Sequence, residues 1–247
     1  MSTSPTLLVL GAGPGLGMSV ARRFGAEGYD VGLVSRSAER HQGYLDDLRS
    51  AGVRAVAVAA DVRAPGAIRR AIDEVQSSLG QIDVVYHGPG ADNPAAPPVG
   101  ILETGVEDVR AAAAQVVEPA VELARLVLPG MRERGSGAIV YVAGLSALVP
   151  LPFLGPFAPA SAALRTYALT LAEAAAADGV RVGSLVVGGL IERGDIHRML
   201  TSLPANADGT PGLDLPTTTL DPDDLADAVW RIAAGSEREI VADAITV

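Results

Sequence analysis

Apolar and polar positions fall into two alternating rhythms along the chain. Short, nearly unbroken apolar runs at Thr6 to Leu10, Val31 to Ser35, Val53 to Ala59, Ile82 to Tyr86, Ala138 to Ala143, Val180 to Val187 and Glu239 to Ala242 predict strands buried on both faces. Between them lie stretches with helical spacing. Leu16 to Glu27 stops at Gly28, and a helix capped by Ser37 runs to Ser50 and closes at Gly52. Ala67 to Leu79 stops at Gly80, Val106 to Arg134 is one long helix bent at Pro119, and further helices span Pro159 to Ala177 and Pro222 to Ala234. Ala91 to Pro98 is a proline-rich loop, and residues 193 to 219 read as irregular chain or short helix. Strands apolar on both faces, each followed by a helix, predict a doubly wound α/β architecture. Its sheet is mostly parallel and seven-stranded, with helices on both faces. There are no repeats, and residues 1–247 read as one domain, with 193–219 a mobile segment over the site.

Composition narrows the partners. The net charge of −10 and pI near 4.7 disfavour nucleic acid and anionic membrane. They leave an anionic cofactor open, because backbone N–H groups and one or two arginines build phosphate sites locally. There is no cysteine, which excludes disulfides, thiolate chemistry and cysteine metal sites, and no metal signature is present. Nor is there a lysine: all 19 basic residues are arginine. The apolar stretch from Leu145 to Leu164 is broken by Pro150, Pro152, Pro156 and Pro159 and is no membrane helix. The polar start, Met1 to Pro5, does not resemble a signal peptide, and the expectation is a cytoplasmic protein.

The chemistry begins at Gly11-Ala12-Gly13-Pro14-Gly15-Leu16-Gly17, placed between the first strand and the first helix. Glycines there let the backbone turn tightly and approach a pyrophosphate, while the helix N-terminus supplies N–H groups and positive dipole. This is the loop of a Rossmann dinucleotide site; its bland alternative is a plain glycine-rich turn. The second strand ends in Ser35-Arg36-Ser37, without the acid that would hold a ribose 2′-hydroxyl. Arg36 would instead pair with a 2′-phosphate, with Ser35 or Ser37 donating a hydrogen bond, so NADP(H) is expected over NAD(H). The competing reading of Arg36 is a solvated surface side chain.

The spacing Gly11-x3-Gly15-x-Gly17 resembles the cofactor loop of short-chain dehydrogenases/reductases. So do Asp61-Val62 after the third strand, Gly135 to Val140, Ala160 to Leu164 with Leu169 to Ala172, and Asp221 to Ala226. The resemblance implies that Asp61 meets the adenine amine and that the backbone of Val62 lines the ring. Gly88 and Gly90, in His87-Gly88-Pro89-Gly90, take the place of the family's Asn-Asn-Ala-Gly beside the cofactor. It also implies a homodimer or homotetramer.

The family's catalytic Ser, Tyr and Lys fall on Gly144, Phe157 and Ser161, and its relay Asn falls on Gln115 or Val116. A phenyl ring has no proton to give, and a serine carries no charge to depress a neighbour's pKa. The chain thus reads as an atypical member, with no confident catalytic residue. Weak substitutes are Ser146, which could bond a substrate oxygen or be satisfied by backbone, and His87, near the cofactor ribose or simply buried. Arg165 reads as a salt bridge to a partner subunit. Glu192, Arg193, Asp195 and His197 read as a charged, solvated lid. Tyr141 and Tyr167 read as packing residues. Leu148 to Leu154 would form an apolar pocket wall or pack against a subunit.

Three functions follow as expectations. One is an NADP(H)-dependent oxidoreductase acting on an apolar small molecule without the usual Tyr/Lys pair. Another is an inactive cofactor-binding sensor or partner subunit of an active relative. The third is a non-redox enzyme using the same pocket.

Overall fold

A computed structural model of the chain describes residues 4–89, 99–202 and 218–244. Seven strands form one sheet: β1 (Thr6–Leu10), β2 (Asp30–Ser35), β3 (Ala55–Ala59), β4 (Ile82–His87), β5 (Gly137–Gly144), β6 (Val180–Gly188) and β9 (Glu239–Asp243). Their order is β3-β2-β1-β4-β5-β6-β9, and every pairing is parallel. A short parallel pair, β7 (Leu190–Ile191) and β8 (Thr219–Leu220), stands apart from it. The expected doubly wound Rossmann architecture is present, and its switch point lies where β1 parts toward β2 on one side and β4 on the other.

Two apolar layers sandwich the sheet. On one face Met18, Phe24, Leu48, Val229 and Ile232 bring in α1 (Leu16–Ala26), α2 (His41–Ser50) and α8 (Pro222–Ala234). On the other Ile68, Val75, Leu123, Met131, Leu164 and Ala168 bring in α3 (Ala67–Leu79), α5 (Glu118–Glu133) and α6 (Phe157–Ala175). Phe24 meets Trp230 edge to face at 4.9 Å, and the Arg23 guanidinium covers the same indole at 4.8 Å, which fastens α1 to α8. Tyr141, fully buried in β5, donates its hydroxyl to the Ala120 carbonyl at 3.1 Å and so fixes α5 to the sheet. Tyr167 packs edgewise on Tyr141, so both tyrosines are packing residues.

Two element boundaries depart from the pattern-based expectation, and the segment after β6 takes the short helix that it allowed. Ser37 does not cap α2: that helix starts at His41, no side chain caps it, and a turn closed by His41 N–H on Ala38 O intervenes. The long helix is two, α4 (Val106–Val116) and α5, parted at Val117. Pro119 falls in the first turn of α5, where a missing N–H costs nothing, and so it starts a helix rather than bending one. In the segment after β6, Asp195–Ser202 forms a true helix, α7. The proline-rich loop 91–98, Gly90 and residues 203–217 lie outside the described residues.

Arg165, expected to bridge to a partner subunit, grips Glu239 in this same chain with two parallel bonds, Nε to Oε1 at 2.6 Å and Nη2 to Oε2 at 2.7 Å. Both side chains are about three-quarters buried, so the fork ties α6 to the edge strand β9. Arg165→Met is expected to lower unfolding stability by about 1 kcal/mol in urea titration. The pair Arg165→Met with Glu239→Leu should lose less than the two single losses added, because each single change strands a largely buried charge and the double change does not. Strict additivity would show that the fork contributes nothing.

Candidate cofactor and active site

The glycine loop leaves β1 with its backbone already spoken for. Gly11 and Ala12 both donate to Val34 O, at 3.0 and 2.9 Å, which pins the loop to β2. Gly11 sits at φ +103°, and a side chain there would overlap the Gly88 carbonyl at the end of β4. A side chain on Gly17 would overlap the Gly11 carbonyl, so α1 rests directly on the loop. Among the described residues nothing crowds Gly13. Leu16 is buried as the first residue of α1, whose first turn holds no acidic side chain to compete with an anion for the helix N-terminus.

At the end of β2 the Ser35 hydroxyl lies 3.0 Å from Ser37 O and 2.7 Å from His41 Nε2. Its one proton is therefore committed inside the protein. Asp61 accepts from Arg63 three times, from the backbone N–H at 3.0 Å, Nε at 2.9 Å and Nη2 at 2.8 Å. Arg63 and, less strongly, the charge of Arg36 hold the Asp61 carboxyl below the usual carboxylate range. Val62 beside it is buried.

Gly144 closes β5, and α6 carries Phe157 and Ser161 one turn apart, with Ser161 against Gly144. The Phe157 ring is buried with Ala112 and Ala160 and seals α6 against α4. Gln115 is buried at the end of α4, whereas Val116 joins the apolar packing. A Cβ on Gly144 would lie 3.6 Å from Ser161 Oγ and 3.7 Å from Ser146 Oγ. Ser146 sits in a 3-10 turn, Leu145–Ala147, is nine-tenths buried, and its hydroxyl has no hydrogen-bond partner among the described residues. Backbone does not satisfy it, and two hydroxyls converge on the space that a side chain at 144 would fill.

The segment after β6 crosses the glycine loop. A Cβ on Gly15 would lie 3.1 Å from Glu192 O and from the Gly194 backbone. Arg193 takes the left-handed conformation, φ +63°, uncommon for any residue other than glycine. It is held there by Asp221 at 3.2 Å and Asp223 at 2.7 Å, at the start of α8. Thr219 donates to Glu192 at 2.7 Å, and Asp195 pairs with Arg40 at 2.7 Å. Arg193 and Asp195 stay exposed, in keeping with a charged, solvated segment, and these bonds tie residues 192–195 down. Among the described residues no three His, Asp or Glu groups converge as a metal would need, and no helix is long and apolar enough to cross a membrane.

Residues 5–195 match the short chain dehydrogenase family. The chain belongs to the short-chain dehydrogenase family. It is similar to a short chain dehydrogenase of Pseudocercospora fijiensis, 28% identical over 71% of this chain and 56% of that protein, so it spans little more than half of that relative. It is 28% identical, over 100% of this chain and 94% of the other, to the subunit BbsC of a hydroxyphenylmethyl-succinyl-CoA dehydrogenase of Thauera aromatica. Among solved structures it resembles L-sorbose reductase of Gluconobacter frateurii, complexed with NADPH and L-sorbose. There the TM-score is 0.77 at 26% identity, covering 98% of this chain and 95% of that one.

Family membership gives an NAD(P)-binding fold whose relatives take small-molecule substrates. In this short-chain dehydrogenase the sequence reading missed Arg40 and His41. His41 had no signal beyond opening a helix, and Arg40 none, because its partner stands 155 positions away. It also missed that Ser161 keeps a hydroxyl against Gly144.

His87 ends β4, packs edgewise on Tyr141 at 5.5 Å, and neither ring nitrogen has a hydrogen-bond partner among the described residues. Burial pushes its pKa down to about 4, so the folded protein holds it neutral. The unfolded chain takes up that proton as pH falls through about 6.5, and stability is lost from there down to about 4. His41, lowered by the same cause, acts in the same direction. Unfolding free energy should drop by about 2 kcal/mol between pH 7.5 and 5 on account of His87. His87→Gln should flatten that slope; an unchanged pH dependence in the variant would exclude the buried imidazole as its source.

Proposed function

We propose that this short-chain dehydrogenase binds NADP(H) in preference to NAD(H). It would act as an oxidoreductase on an apolar small molecule, without a tyrosine acid or a lysine charge. The carrying observation is the pair of hydroxyls, Ser146 and Ser161, facing the space above Gly144. Two neutral dipoles can orient a carbonyl or imine, yet they cannot deliver a proton as a charge-tuned phenol does. Hydride transfer depends chiefly on holding the nicotinamide against the acceptor carbon. An iminium or an enone protonated by water therefore suits this site better than a simple ketone. Leu148 and Phe153, half exposed on the segment that Ile101 N–H anchors to Pro152 O at 2.8 Å, supply an apolar wall for the substrate.

The cofactor would lie along Gly11, Gly13, Gly15, Leu16 and Gly17, with its adenine by Asp61 and Val62 and its nicotinamide half passing Gly88 toward Gly144. Arg36 would pair with the 2′-phosphate. Because the Ser35 proton is committed to Ser37 O or His41, the donated hydrogen bond falls to Ser37. The NADPH complex of the L-sorbose reductase favours the same cofactor. Arg36→Ala should weaken NADP+ by about 2 kcal/mol, roughly thirtyfold, and leave NAD+ nearly unchanged, read by nicotinamide or Trp230 fluorescence. Equal losses for both would remove Arg36 from the phosphate site.

A second reading has its own support. The relative matched over this whole chain is named as a subunit of a dehydrogenase, and a non-catalytic subunit paired with an active relative needs no Ser, Tyr or Lys. Stopped-flow NADPH oxidation against iminium and enone acceptors separates the two readings. Turnover supports the enzyme, and its absence alongside a second chain in native mass spectrometry supports the subunit. The triple change Gly144→Ser, Phe157→Tyr and Ser161→Lys is expected to create NADPH-dependent ketone reduction. No gain with cofactor still bound would mean that the pocket, and not only its acid, has changed use.

A further inference from the structure

The contact between Arg40 and Asp195 joins two regions of the site that share no sequence neighbourhood. Arg40 lies in the turn between β2 and α2, the turn that also carries Arg36 and Ser37. Its Nη1 donates to Asp195 Oδ2 at 2.7 Å, and the other Asp195 oxygen accepts from Arg198 at 3.0 Å. Asp195 opens α7, directly after the Glu192–Gly194 backbone that covers Gly15. A row of alternating charge, Arg40–Asp195–Arg198, thus leads from the cofactor-selecting turn along α7.

Taken alone the row is weak. Arg40 and Asp195 are 50% and 43% exposed, and such pairs gain little because two long side chains must be held in one geometry. An anion already ordering Arg40 removes most of that entropic cost, since the guanidinium presents several donors in a fixed fork and can serve two acceptors at once. A dianionic phosphate on the adenosine ribose is an anion of the right charge in the right turn.

We propose that Arg40 and Asp195 form a second cofactor-discriminating element: a 2′-phosphate seated on Arg40 extends the row of alternating charges and fastens α7 across the bound dinucleotide, whereas a bare 2′-hydroxyl does not. The inference rests on the dinucleotide reading above. Thermodynamic linkage makes it reciprocal, so fastening α7 tightens the phosphorylated cofactor by the factor with which that cofactor fastens α7. Asp195, although acidic and remote in sequence, therefore favours NADP(H).

Trypsin reports this directly, because every basic residue is an arginine and Arg198 lies within α7. The protein is digested at saturating NADP+ or NAD+, with occupancy set by fluorescence titration of the same samples. Cleavage after Arg198 is scored by mass spectrometry against cleavage after Arg110, an exposed arginine of α4. NADP+ should slow the Arg198 cut about three- to fivefold relative to NAD+, the range an exposed pair can supply once ordered. The ratio should shrink as salt rises. Asp195→Asn should abolish the difference and weaken NADP+ by the same factor without touching NAD+, and Asp195→Glu should restore both. Equal protection by the two cofactors, faster cutting with NADP+, or a difference that survives in Asp195→Asn overturns the inference. In those cases NADP+ still binds and the cofactor reading stands; if the titration shows no preference for NADP+, reading and inference fall together.

Discussion

The whole site depends on how closely β1 and β4 run past one another at their C-terminal ends. Gly11 and Gly88 touch backbone to backbone there, and Gly17 repeats the close approach where α1 comes down onto the loop. No side chain fits between these three pieces, so the N-terminus of α1 is set against the sheet by main chain alone. This is a steric constraint, and the energy that enforces it comes from elsewhere. It comes from the two apolar layers that bury both faces of the sheet and leave β1 fully enclosed. The α1 end of the groove is consequently stiff, while the strap of residues 192–195 is held by ion pairs and one strained arginine.

That contrast bears on the chemistry. The positions under Gly144 are rigid and uncharged, with a phenyl ring sealed against α4 and two hydroxyls turned to the same space. A buried hydroxyl without a partner costs on the order of 1–3 kcal/mol, and that of Ser146 finds none among the described residues. An oxygen or N–H of a ligand placed above Gly144 would recover it. Under the function proposed above, such a site would select by hydrogen bonding to a neutral group rather than by stabilising charge.

Much of the fold was legible because the strands are apolar on both faces and the helix ends carry strong punctuation. Gly80 and Gly235 adopt positive φ at the ends of α3 and α8, and Asp221 caps α8 just before Pro222. Where punctuation was ambiguous the reading slipped: Pro119 looks the same on paper whether it bends a helix or begins one, and Ser37 resembles a cap whether or not a further turn follows. The glycine loop was legible since its spacing is local. The Arg165–Glu239 fork and the Arg40–Asp195 contact were not, because each joins residues far apart in sequence, and a charged residue in isolation looks the same whether solvated or paired. Ser146 was named as a weak candidate, but only the turn that aims it toward Gly144 shows what it faces.

One compositional oddity has a physical consequence of its own. With every lysine replaced by arginine, the cationic half of each ion pair keeps its proton far into alkali. Tyr29, Tyr86, Tyr141 and Tyr167 are all pushed upward by burial, so above about pH 10 the unfolded chain gives up phenol protons that the folded one keeps, and stability falls. Alkali therefore leaves the ion pairs charged and acts through the buried phenols, whereas acid acts on buried imidazoles and paired carboxylates. The molecule thus answers acid and alkali through different parts: its ion pairs and imidazoles give way to acid, its buried tyrosines to strong base.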